Sequence, residues 1–91
     1  MDKATFLAIL HKIVSGFEDP QFRARFATAR AEGDVGQLMA LPAQIQEAAF
    51  AAHDLDPVAG VAAFKAAGRQ FALEPEAVPL LARMKAALDS K

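Results

Sequence analysis

The chain has 91 residues, 54% of them hydrophobic, and carries ten Lys and Arg against eleven Asp and Glu for a net charge of −1. So short a chain is expected to fold as one domain over 1–91, and near-balanced charge supplies no long-range field for drawing in nucleic acid. The lack of any cysteine excludes disulfides, thiolate metal sites and thiol catalysis, and suits a reducing compartment.

The opening "MDKATFLAILHKIVSGF" is not expected to act as a signal peptide: Asp2 sits in the would-be basic region, and His11 and Lys12 interrupt the apolar run. No stretch reaches the roughly 18 apolar residues of a membrane span. The expectation is a soluble, cytoplasmic protein. Phe6, Ile9, Leu10, Ile13, Val14 and Phe17 recur at spacings of three and four, which predicts an amphipathic first helix over Lys3 to Phe17 with a wide buried face. Gly16 is expected to soften its end.

In "EDPQFRARFATARAEGD", Asp19 is placed to accept from a free amide while Pro20, lacking that amide, fits the first turn of a second helix over 20–31. Phe22, Phe26 and Ala29 form its stripe, Arg23, Arg25 and Arg30 flank it, and Gly33 offers the left-handed residue that ends it. Asp34 repeats the cap for a third helix over 35–53, with Leu38, Leu41, Ile45, Ala48, Ala49 and Ala52 directed inward. Pro42 lies inside it, removing one donor and crowding the carbonyl four residues back, so the helix is expected to kink there or to split in two. Phe50 falls off this stripe and is expected to serve a second contact face.

Asp56-Pro57 starts a fourth helix that runs to Phe71, with Val61, Phe64 and Phe71 along one side. Gly60 and Gly68 flank Phe64 at four residues either way. Each costs a helix about 1 kcal/mol relative to alanine, which predicts either a weak segment or close approach by another helix, and close approach is the favoured reading. Glu74-Pro75 leads into a last helix, beginning near Glu76 or later because of Pro79, whose buried line is Leu81, Met84 and Leu88 with Val78 or Leu80 beside it. Five helical segments joined by short turns, with no alternating strand pattern, predict an all-α bundle.

Few groups carry chemistry. Thr5, Ser15, Thr28 and Ser90 have only His11 and His53 to activate them, and no spacing pairs them. Glu18 with Asp19 and Asp54 with Asp56 sit at helix junctions, where acids are expected as caps. "HDLD" brings His53, Asp54 and Asp56 into one turn, but capping and the helix dipole account for all three without a metal. The glycines form no phosphate loop. No catalytic residue, metal site or cofactor is expected. Arg23 and Arg30 are capable of forked hydrogen bonds to acidic oxygens, although Glu18, Asp19, Glu32 and Asp34 bracket them. Gln44, beside Pro42, is placed either to bond the carbonyl that the proline leaves unpaired or, with Gln46, to meet a partner.

Taken in order, "GFEDPQF…ATAR", "LP…QIQEAAFAA", "GVAAF" followed by Phe71, and "EPEAVPLLARMKAAL" resemble the small eukaryotic protein C-ten family, from about Ile13 to Leu88. The likeness rests on the succession of Phe-x-x-Pro, Ala-Arg, Gln-Ile-Gln, Gly-Val-x-x-Phe and Lys-Ala. The connection between Arg30 and Gln44 is shorter than in that pattern. The resemblance implies an intracellular helical protein of the kind linked to animal development, acting through interaction and without an assigned reaction. The expected function is therefore a non-enzymatic interaction module or small subunit of a larger assembly, binding another protein or a copy of itself, with Arg23, Arg30, Gln44, Gln46 and Phe50 as contact residues. A small helical carrier for a hydrophobic or acyl ligand is the alternative. It would need a continuous apolar cavity between helices, and the chain shows neither the tyrosines nor the lysine-rich nucleotide contacts of acyl-CoA-binding domains.

Overall fold

A computed structural model of the chain describes residues 1–89. Within them lie five helices: α1 (Lys3–Phe17), α2 (Pro20–Glu32), α3 (Val35–Ala51), α4 (Pro57–Phe71) and α5 (Ala77–Asp89). The described residues contain no strand, and the all-α bundle expected from the spacing of apolar residues is the fold.

Aspartates start four of these helices. The Asp2 carboxylate accepts from the Thr5 amide at 2.8 Å, Asp19 from Gln21 at 2.9 Å, Asp34 from Gln37 at 3.1 Å, and Asp56 from Val58 and Ala59 at 3.1 Å. Each satisfies amides that the first turn leaves without an intrahelical partner. Pro20 and Pro57 occupy the first positions of their helices, where a missing N–H costs nothing. Gly33 closes α2 at φ +67°, with the Asp34 amide donating back to the Ala29 carbonyl at 2.9 Å.

α1 is the central helix, and Phe6, Ile9, Leu10, Ile13, Val14 and Phe17 are all buried. These six fall into two rows of i, i+4 neighbours that serve different partners. Ile9, Ile13 and Phe17 join the core built from α2 and α3, while Phe6, Leu10 and Val14 join one completed by Ala67 of α4 with Ala77 and Leu80 at the start of α5. Phenylalanines link them: Phe17, Phe22 and Phe26 stack in succession, Phe6 meets Phe64 and Phe71, and Phe64 reaches Phe50. One row alone would bind a single neighbour. The double row is what lets a chain this short enclose a centre.

Of the two outcomes expected at Pro42, the split is excluded, because α3 runs unbroken through it. Other expectations need correction. Ala48 and Ala52 are exposed rather than inward, and Phe50 is 1% exposed rather than a surface contact. The observed inner face comprises Leu38, Leu41, Ile45, Ala49 and Phe50, rotated toward α4 because Phe50 packs on the bare backbone of Gly60: a Cβ there would lie 2.8 Å from the Phe50 ring. Close approach is thus the role of Gly60. Gly68 has open space around it. Gly16 is likewise a packing residue, since a Cβ would come within 2.6 Å of the Ile45 side chain, and α1 and α3 meet there. At α5, Leu80 is buried and Val78 is half exposed, resolving the choice between them.

Candidate interaction groove between α3 and α4

α3 ends at a turn that sequence reading did not assign. Asp54 adopts φ +56°, and the Leu55 amide donates to the Phe50 carbonyl at 2.9 Å, the six-to-one bond of a helix closed by a left-handed residue. Asp56 then caps α4 two residues later. This short reversal brings α4 back beside the C-terminal half of α3, where Phe50 and Gly60 seal the contact.

The N-terminal half of α3 keeps one side in water. Val35, Met39 and Ala43 stand at i, i+4 and i+8, so they share a side of the helix. Val35 is 65% exposed and Met39 72% exposed. At Ala43 the stripe enters a depression of about 320 Å³ lined by Ala43, Gln46, Glu47, Pro57, Val58 and Val61. Val58 stands at its edge 81% exposed. The lining is mostly apolar, with Glu47 its one charged member and Gln46 its one neutral polar side chain.

The five residues singled out from sequence do not converge. Gln46 lines this groove, but Gln44 lies in a separate depression between α2 and α3, with Ser15, Gln21, Arg25 and Ile45 among its neighbours. Among the described residues no hydrogen bond joins Gln44 to the Leu38 carbonyl that Pro42 leaves unmatched. Arg23 lines a further depression with Glu18 and Arg83. Arg30 donates to the Leu88 carbonyl and lies 5.1 Å over the Phe26 ring, which ties α2 to the end of α5. Phe50, as corrected above, is core. Val35, Met39 and Val58 were missed. The Val35, Met39, Ala43 spacing was readable, but in a helix apolar on most sides it does not stand apart from the core stripe.

Ion pairs lie elsewhere. Arg83 makes a forked contact to Glu18, 3.1 Å at Nε, holding the Glu18 carboxyl below its usual range and raising the Arg83 guanidinium. Lys3 bridges Glu76 and Glu74 at 3.1 and 3.2 Å, which raises its ammonium. Nε2 of His53 is buried without a hydrogen-bond partner among the described residues. No group of three or more His, Cys, Asp or Glu side chains among the described residues is arranged to hold a metal ion, and no described helix is long and apolar enough to cross a membrane. Comparison with protein-family models, with curated proteins and with solved structures finds no match to this chain.

Proposed function

We propose that the chain is a non-enzymatic interaction module of the protein C-ten kind, working inside the cell by presenting the α3–α4 groove to another protein. One observation carries this reading: Val58, mostly in water, stands in an apolar depression between α3 and α4, and Val35 and Met39, also mostly in water, share the side of α3 that leads to its lining residue Ala43. Isolated exposed apolar residues are ordinary on a protein surface, whereas a contiguous set beside a depression is how a binding face is built. The groove suits a helix laid into it, anchored at intervals of three and four residues.

Proximity labelling in the source cell, with the wild-type chain and a Met39→Glu/Val58→Glu double variant, tests the proposal. Both positions are exposed, so the variant is expected to keep the wild-type circular dichroism spectrum and to lose a defined subset of neighbours. An unchanged set of neighbours would overturn the reading. A bound acyl species in native mass spectra of the purified protein would point instead to the carrier.

A further inference from the structure

The groove also carries a charge pattern, and it selects among occupants. Glu47 projects from the lining itself. Asp56 caps α4 immediately before the lining residues Pro57 and Val58, and Asp54 sits in the same turn, both exposed. None of the three takes part in an ion pair among the described residues. A single Asp56 oxygen, Oδ2, accepts from both the Val58 and Ala59 amides. On the same side of α4 the bases are Lys65 and Arg69, one and two turns beyond Val61 and both outside the lining. Three carboxylates thus lie in or beside the groove: Glu47 within its lining, and Asp54 and Asp56 in the turn that leads into Pro57.

We propose that the occupant is a basic amphipathic helix of another protein, its apolar face on Val35, Met39, Ala43 and Val58 and its Lys or Arg residues over Glu47, Asp54 and Asp56. This rests on the groove being the interaction face and adds the chemistry of what fills it. The stripe from Val35 to Gln46 covers eleven residues of helix rise, about 16 Å, so it matches about three turns of a partner. Opposite charge at the rim sets orientation and speeds encounter, while an acidic helix would meet like charge and be rejected. A second copy of this chain fits less well, since two such faces would bring together the carboxylates that each has in and beside its groove.

Two synthetic 18-residue helical peptides with the same leucine and alanine face, one flanked by lysines and the other by glutamates, provide the probe. Titrated into isotope-labelled full-length protein, the lysine peptide is expected to shift the Val35, Met39, Ala43 and Val58 resonances and to bind at least about tenfold tighter than the glutamate peptide at low salt. The preference should shrink as salt is added. Glu47→Lys is expected to narrow or invert it, and Met39→Glu to weaken the lysine peptide. Equal binding of both peptides, with Met39→Glu still weakening each, would overturn the charge selection and leave the groove as a docking face. Shifts mapping elsewhere, or no binding of either peptide, would overturn both. Self-association lost on Met39→Glu would replace the basic helix with a second copy.

Discussion

The two glycines of α4 show how differently one residue type acts eight positions apart. At Gly60 a methyl would meet the Phe50 ring at 2.8 Å, and that ring is held by Phe64 at 5.9 Å between centroids. Gly60→Ala should cost about 1–3 kcal/mol through overpacking. Gly68 faces open space in a helix interior, so Gly68→Ala should add about 0.5–1 kcal/mol. Urea denaturation of both variants decides this, and destabilisation of equal size at the two sites would contradict the packing described for Phe50. Asp54 presents a similar contrast, for it holds φ +56° without glycine's freedom. Asp54→Gly should raise the unfolding midpoint slightly, by about 0.5–1 kcal/mol in the same assay.

Within α3, Pro42 is tolerated because a helix can continue past one missing donor when its faces are packed on both sides of the gap. Leu41 is buried just before it, and Ile45 and Ala49 follow one and two turns later against α1 and α2. Propensity alone would end the helix, and tertiary contact overrides it. Pro42→Ala should restore the bond to the Leu38 carbonyl and stabilise the chain by about 2 kcal/mol, net of the freedom that the unfolded chain gains. Thermal unfolding followed by circular dichroism gives the sign, and a loss of stability would mean that the ring itself fills core space. α1 teaches the complementary lesson: its six buried positions were readable from spacing, but their division into two rows facing different partners depended on where α2 to α5 came to rest.

For the molecule as a whole, pH tests the surface links between elements. Glu18 is held below its ordinary value by Arg83, so its contribution is present at neutral pH and lost as pH falls through the folded-state value. Lys3 is raised by Glu76 and Glu74, so its contribution is complete below its ordinary value and is lost as pH climbs past it. The wild-type melting temperature should therefore drop more steeply than that of Glu18→Gln below about pH 4.3, the ordinary glutamate value, with the two proteins converging in acid. Parallel curves would show that the Glu18–Arg83 contact does not couple α1 to α5 in solution. Both groups are exposed, and the effect is small on that account. Met39→Glu and Val58→Glu belong to this scale as well: each should leave stability within about 0.5 kcal/mol of wild type, because neither side chain is packed.

Helix number, helix type, the aspartate caps and the wide face of α1 were determined by the sequence alone, since each depends on local bonding or on a periodicity of 3.6. The same local logic placed Asp19, Gly33, Asp34 and Asp56 correctly. What only the tertiary structure decided was rotation and neighbourhood. Phe50 turned inward because Gly60 of another helix made room for its ring, while Gln44 and Gln46, two residues apart, fall on opposite sides of α3, and Arg23 and Arg30 lie two turns apart on α2. Val58 came to stand over an apolar depression only because α4 packs beside α3, while the side of α3 that bears Val35 and Met39 stayed in water. Spacing along a helix sets which residues share a side, but whether that side meets protein or water depends on helices distant in the chain.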